Sequence, residues 1–153
     1  MGRVVPFTSC STSQYRPAPP PALDSAHYAR DLAEVRKGGD VNSPTRTRYQ
    51  TETARFYEVT DAVQLWYPAA RQVSRVHRMT LSQNARIFAL LGMAMFDAVI
   101  GVFEAKYHYN YWRPVTAIRE TSDPNWIPLV FTPPFPGYPS GHAGFGGAAR
   151  IVL

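Results

Sequence analysis

Apolar positions recur at helical spacing along most of the chain. Tyr28, Leu32 and Val35 follow one another at i, i+4 and i+7, which predicts the buried stripe of a helix. This helix would begin at Ser25, whose hydroxyl can cap the first turn, and end at about Lys37, just before two glycines. The residues before it follow no such period. Four prolines within residues 16–21 exclude a helix there and favour an extended conformation.

A second helical pattern begins at Ser43-Pro44-Thr45. Its apolar positions share one face and are Phe56, Val59, Val63 and Trp66. We expect Pro68 to break or kink this helix, and another helical stretch to follow as far as about Arg78.

The strongest helical pattern runs from Thr80 towards Lys106. Asp97 interrupts its most apolar part, Ile87–Val102, which we expect to be a buried helix that falls short of a membrane span. A carboxylate in such a helix must be paired or neutralised, so we expect Asp97 to bond to another helix.

The last third of the chain alternates short helices with a loop. A short helix is predicted over Val115–Glu120, a loop with five prolines over Thr121–Tyr138, and a further helix after Ser140. No strand pattern and no repeat is visible, so the predicted class is all-α. The chain ends on apolar Ile151-Val152-Leu153 inside this last helix, which suggests a truncated sequence.

Composition narrows the possible classes of protein. The chain has 153 residues, of which 45% are hydrophobic and 18% charged, as expected for one globular domain. We divide it into an extended proline-rich segment, residues 1–24, and a partial helical domain, residues 25–153. The net charge of +5 includes no run of like charges, so a nucleic-acid partner is not indicated. A single cysteine, Cys10, excludes an intrachain disulfide and a cysteine-ligated zinc site.

Lys106 and Arg113 are the first pair with candidate chemistry. They are seven residues apart, so a continuous helix would place both on one face, where two cations could hold a tetrahedral oxyanion. The residue before Pro114 is disfavoured in helical geometry, which marks the end of that helix at Arg113. On spacing alone, a solvated lysine and a structural arginine is the simpler explanation.

Ser140-Gly141-His142 is the second candidate. Ser140 stands where a helix N-cap would, Gly141 allows close approach of the backbone, and free N–H groups there favour an anion. His142 in the first turn could transfer a proton to that anion. The alternative is an ordinary serine-capped helix with an exposed histidine.

The two motifs follow one another along the chain in an order that is typical of one superfamily. Lys-x6-Arg-Pro, a proline-rich loop and Pro-Ser-Gly-His resemble the superfamily of vanadium-dependent haloperoxidases and type 2 phosphatidic acid phosphatases. The flanking sequence in Lys106–Pro114 and Pro133–Ala148 is similar to the chloroperoxidase-type branch, and the similarity continues upstream to Phe7.

The resemblance implies roles for individual residues. Oxygens of vanadate, or of phosphate in a phosphatase, would be bound by Lys106, Arg113, Ser140 and Gly141. His142 would be the acid–base residue, with Lys106 as a second catalytic group. Trp112 and Phe145 would either border a halide pocket or pack in the core.

The resemblance also implies a fold and a function. The fold would be an α-helical bundle of the haloperoxidase and acid phosphatase type, incomplete at both ends. The implied activity uses vanadate, in competition with phosphate, and hydrogen peroxide to oxidise halide, which then acts on an organic substrate. The family's third motif, Ser-Arg-x5-His-x3-Asp, is absent from the chain, so no residue here would ligate vanadium directly and the chain alone is expected to be inactive. The alternatives are a phosphomonoesterase with the same anion pocket and a non-catalytic remnant.

Overall fold

The computed structural model describes residues 4–153, and all the regular secondary structure elements in this range are helices. The six helices are α1 (Ala26–Gly39), α2 (Arg48–Val59), α3 (Ala62–Val76), α4 (Leu81–Tyr109), α5 (Pro114–Thr121) and α6 (Gly141–Val152). Within the same residues, β pairing is limited to an isolated bridge between Asp40 and Pro128. The predicted all-α class is therefore confirmed.

The chain forms two compact units. The first unit consists of the N-terminal segment up to Pro17 together with Thr60–His108 and Pro139–Leu153. In this unit α3 packs against α6, and the buried core is built from Ala70, Leu91, Met95 and Ala149. Partly buried side chains surround this core: Val63, Trp66, Tyr67, Phe88, Val152 and Leu153.

The second unit consists of Ala18–Val59 and Tyr109–Tyr138. Here α1 packs against α5, which carries the buried Ala117 and Ile118. Trp126, also buried, donates its indole N–H to the carbonyl oxygen of Arg36 at 3.1 Å. The loop after α5 is thereby fixed to the end of α1.

Most of the predicted helices are present. Ser25 caps α1, because its hydroxyl oxygen accepts the N–H of Tyr28 at 3.1 Å. The predicted helices after Thr80, Pro114 and Ser140 correspond to α4, α5 and α6. These starts are encoded locally by a cap or a proline, which explains why the sequence predicts them.

The predicted second helix is wrong in its extent. It begins at Arg48 rather than near Ser43, and the chain breaks after Val59 rather than at Pro68, which lies inside α3. Asp61 causes the break, because its carboxylate accepts two N–H groups of the next turn and so starts a new helix. Proline in α3 removes one backbone hydrogen bond, and the packing of α3 against α6 compensates for that loss.

Asp97 bonds to the N-terminal segment, so the expected bond to another helix is wrong. Its carboxylate accepts the backbone N–H groups of Phe7 and Thr8, each at 2.7 Å, and the Thr8 hydroxyl at 2.6 Å. Burial raises the pKa of Asp97, but the hydrogen bonds from Thr8, Phe7 and Ser9 outweigh burial, so the pKa is lowered. The charged carboxylate therefore holds the N-terminal segment on α4.

By length and composition alone, Leu81–Thr121 contains a stretch that could cross a membrane. The expectation that this region falls short of a span is therefore wrong on those two criteria. Core helices of water-soluble proteins satisfy the same criteria, but they are mostly buried, whereas only 17% of this stretch is buried, including Leu91 and Met95 in the core of the first unit. The expectation of a buried helix is therefore met only in part. The feature is weak evidence for a membrane.

Candidate functional site

Among the described residues, Lys106 has the largest fully buried side chain. It lies in the last turn of α4 with 2% of its surface exposed, directly after the buried Ala105. A buried ammonium group is costly unless an anion or aligned dipoles stabilise its charge. The solvated lysine that spacing alone favoured is therefore wrong, and burial makes Lys106 a strong candidate for holding an anion.

The start of α6 provides hydrogen-bond donors. Ser140 is the N-cap, and its hydroxyl oxygen accepts the N–H of Ala143 at 3.3 Å. A hydroxyl that accepts in a cap keeps its own hydrogen to donate to a ligand. Gly141 and His142 follow in the first turn, which contains no acidic residue. The helix dipole is thus not neutralised by a carboxylate of its own turn, so an anion is favoured there.

Arg113 lies in the second unit, at the N-cap of α5, with an extended backbone. Its Nε–H donates to the carbonyl oxygen of Phe135 at 2.6 Å, and its guanidinium carbon lies 4.8 Å from the centre of the Phe135 ring. Burial lowers the pKa of Arg113. Residues 110–113 and 132–136 contribute to the lining of a cavity of about 520 Å³ that includes this side chain. Phe135 orients the guanidinium, a role that sequence analysis missed.

The expected continuous helix from Lys106 to Arg113 is wrong. Helix α4 ends at Tyr109, and Asn110 has a φ of 44°, in the left-handed region that asparagine tolerates after a helix. Pro114 then favours the extended backbone seen at Arg113. Lys106 and Arg113 therefore do not share a helix face.

The remaining predicted residues divide between the two units. Ser140, Gly141, His142 and Phe145 belong to the first unit with Lys106, whereas Trp112 belongs to the second with Arg113. His142 is exposed and Phe145 is partly buried. The indole nitrogen of Trp112 is buried, and Trp112 lines a cavity of about 230 Å³ together with Tyr28. The halide-pocket roles of Trp112 and Phe145 stay predictions.

A cavity of about 510 Å³ in the first unit includes Ser140 in its lining. Small residues of two helices leave this space, namely Ala94, Ala98 and Gly101 of α4 with Ala143 and Gly144 of α6. The N-terminal segment completes the lining with Thr8, Ser9, Ser11, Thr12 and Tyr15. Sequence analysis did not predict that this segment lines a cavity. Its run of serine and threonine side chains, just before the proline-rich residues, could have indicated a polar lining.

Comparison with known proteins identifies the relatives of this chain. Residues 86–124, which include Lys106 and Arg113, match the family model described as the VCPO second helical-bundle domain. Vanadium chloroperoxidase from Curvularia inaequalis is 42% identical in a match that covers 42% of this chain and 13% of that protein. The first bacterial vanadium-dependent iodoperoxidase structure superposes with a TM-score of 0.84 and 31% identity. That match covers 97% of this chain and 38% of the iodoperoxidase chain. The chain is thus similar in sequence and in fold to vanadium haloperoxidases.

The resemblance found in the two motifs is thereby confirmed, and the helical architecture agrees with that of the iodoperoxidase. The chain spans well under half the length of either vanadium haloperoxidase. Among residues 4–153, no group of three or more His, Cys, Asp or Glu side chains is placed to hold a metal ion. In the first unit the candidate residues are instead a buried ammonium group and the hydrogen-bond donors at the start of α6, groups whose chemistry suits an oxyanion.

Proposed function

We propose that this chain forms part of the vanadate site of a haloperoxidase. The observation that carries the proposal is Lys106, a lysine with 2% exposure in the same unit as a serine-capped helix start. The relation to vanadium haloperoxidases supports vanadate as the anion. The resemblance also implies a part for Arg113, which lies in the second unit, where Phe135 orients its guanidinium.

The residues fit vanadate by their chemistry. An ammonium group, a hydroxyl and a backbone N–H are all donors, and no carboxylate lies in the first turn of α6 to repel an anion. When bound in such a site, vanadate activates hydrogen peroxide so that the peroxide can oxidise a halide ion.

Each residue of the first unit has a separate task in this proposal. The Lys106 ammonium balances the negative charge of the oxyanion, and burial strengthens that attraction because the local dielectric is low. The Ser140 hydroxyl and the Gly141 N–H donate hydrogen bonds from fixed positions at the start of α6, so they need no reorganisation during the reaction. His142, exposed in the same turn, can move a proton through an imidazole nitrogen.

Vanadate binding by variants tests the assignment of Lys106. We expect Lys106→Met, which keeps the shape of a buried chain, to weaken vanadate binding by about 1.5–3 kcal/mol, the usual worth of a charge-assisted hydrogen bond. Lys37→Met is the matched control, since Lys37 is the other lysine of the sequence and is exposed. Vanadium NMR gives the affinity, and circular dichroism checks that both variants fold. Equal affinity in the Lys106 variant and the parent would reject the assignment.

His142→Ala separates binding from chemistry. We expect the variant to bind vanadate nearly as well as the parent, because the imidazole moves a proton rather than holding the anion. In a longer protein that contains this chain together with the family's third motif, peroxide-dependent oxidation of iodide, followed by absorbance, should fall by about 10²–10⁴-fold. Hydrolysis of a phosphate ester without any halide oxidation would instead favour the phosphomonoesterase.

A further inference from the structure

The second unit contains a cavity of about 230 Å³ that the proposed vanadate site does not use. Its lining is mainly aromatic and aliphatic: Pro20, Pro21, Tyr28, Leu32, Val35, Tyr111, Trp112, Pro114, Gly137 and Tyr138. Asp31 is the one charged residue of the lining. Cavities for drug-sized ligands are about 300–1,000 Å³, so this cavity suits a smaller group.

Two tyrosine rings of this cavity, those of Tyr28 and Tyr138, each stand at a steep angle to the ring of Tyr111. The ring centres of Tyr28 and Tyr111 are 6.1 Å apart with an interplanar angle of 86°, and those of Tyr111 and Tyr138 are 6.4 Å apart at 69°. Rings arranged in this way form walls rather than a stack. The faces of aromatic rings carry negative electrostatic potential and attract cations.

The hydroxyl groups of two of these tyrosines donate hydrogen bonds to backbone carbonyl oxygens. The Tyr111 hydroxyl donates to the carbonyl oxygen of Pro21 at 2.8 Å, and the Tyr138 hydroxyl donates to that of Ala18 at 2.7 Å. The two hydroxyls are thereby fixed, which holds the ring surfaces in place at the cavity.

Asp31 adds a negative charge to this aromatic lining. Burial is the main cause of the raised pKa of Tyr111, and the charges of Tyr28 and Asp31 raise it further. The Nε2 atom of His27 lies 3.2 Å from the Asp31 carboxylate, and the two groups form an ion pair only when the imidazole is protonated. A halide ion would be repelled here, which argues against this cavity as a halide pocket for Trp112.

We propose that this cavity binds a small organic ammonium group, held by the tyrosine and tryptophan rings and by the carboxylate of Asp31. The proposal is independent of the vanadate site, because none of the residues proposed to hold vanadate lines the cavity.

Choline is the probe, and its uncharged carbon analogue, with a tert-butyl group in place of trimethylammonium, is the control ligand. The chain has three tryptophans, so three indole N–H signals are expected in the NMR spectrum of the isotope-labelled protein. We expect choline to shift the signal of Trp112 in a saturable way and to leave that of Trp66, in the core of the first unit, unchanged. The uncharged analogue should shift neither signal at the same concentration.

Asp31→Asn and Asp24→Asn form the matched pair of variants. Both remove one negative charge from an exposed site of the second unit, but only Asp31 lines the cavity. Because 54% of the Asp31 side chain is exposed, water weakens its attraction for a cation almost as much as in bulk solution. Asp31→Asn should therefore raise the dissociation constant of choline only about fivefold. Asp24→Asn should leave that constant unchanged.

Three results would overturn the proposal. Choline that leaves the Trp112 signal unmoved would show that the cavity does not take an ammonium group. Equal binding of the uncharged analogue would show an apolar cavity without preference for a cation. An equal effect of both aspartate variants would show that only the net charge of the protein matters.

Discussion

Gly144 allows α6 to approach α4, and replacing it with alanine tests that contact. A Cβ atom at this position would lie 2.5 Å from Cγ2 of Val102, about 1 Å short of ordinary van der Waals contact. Valine in a helix has one strongly preferred rotamer, so its methyl group has little freedom to withdraw. One of the two helices must therefore shift.

The magnitude follows from two opposing contributions. Alanine is better than glycine in a helix interior by about 1 kcal/mol, which favours the variant. Inserting a methyl group into a filled contact costs about 1–3 kcal/mol, which opposes it. Gly147 provides the reference, because it lies in the same helix and a Cβ atom there meets no atom within 4 Å. Since helix propensity cancels between the two variants, we expect Gly144→Ala to be less stable than Gly147→Ala by about 1–3 kcal/mol.

Urea unfolding followed by circular dichroism measures both free energies of unfolding. Gly147→Ala should be more stable than the parent by about 0.5–1 kcal/mol. Val102→Ala removes the obstructing methyl group, so adding Gly144→Ala in that background should no longer destabilise the protein. This double-mutant cycle assigns the cost to one pair of atoms.

A Gly144→Ala variant that gains as much stability as Gly147→Ala would refute the reasoning. It would mean that α4 and α6 adjust to the extra methyl group at no cost. Persistence of the full cost in the Val102→Ala background would refute it in another way, since the obstruction would then come from elsewhere.

Three further predictions concern other contacts. Gly137→Ala should destabilise the second unit by about 1–3 kcal/mol, because its Cβ would lie 2.9 Å from the backbone oxygen of Trp112, and tryptophan fluorescence during urea unfolding would measure this. Arg16→Ala should destabilise the first unit by about 1–2 kcal/mol, because the Arg16 guanidinium forms a two-pronged ion pair with Glu104. The hydrogen bond from Arg16 is the main cause of the lowered pKa of Glu104, so this stabilisation should be complete above the unfolded-state pKa and disappear as the pH falls through the folded-state pKa. A parent and variant with identical acid-unfolding curves would contradict that. Asp97→Asn should release the N-terminal segment from α4, since an amide replaces one of two accepting oxygens, and faster cleavage of the segment by a protease would reveal it.

The helix starts that the sequence predicts are those encoded within a few residues. Ser25 and Ser140 each accept an N–H group of the following turn, and Pro114 begins α5, so all three signals are local. The break after Val59 was also encoded locally, by Asp61, but the apolar pattern that continues across it hid the signal.

The periodicity of apolar residues does not predict contacts between distant parts of the chain. Asp97 was recognised as a residue that needs partners, yet those partners lie about 90 positions earlier, in a segment with no helical pattern. The ion pair between Arg16 and Glu104 joins the same segment to α4. An unpaired charge in an apolar pattern therefore predicts that a partner exists, but only the fold identifies it.

Lys106 and Arg113 show how a motif can indicate a family while the geometry inferred from its spacing is wrong. Their spacing suggested two turns of one helix, but the left-handed backbone at Asn110 ends α4 and Phe135 orients the arginine. A motif records which residues occur in a family and not the backbone that joins them, so its spacing carries no helical meaning by itself. Burial of Lys106 is the independent evidence, because the attraction between a cation and an anion is stronger in a site of low dielectric constant. The vanadate proposal thus depends on burial and donors in the first unit, and it would survive a revised role for Arg113.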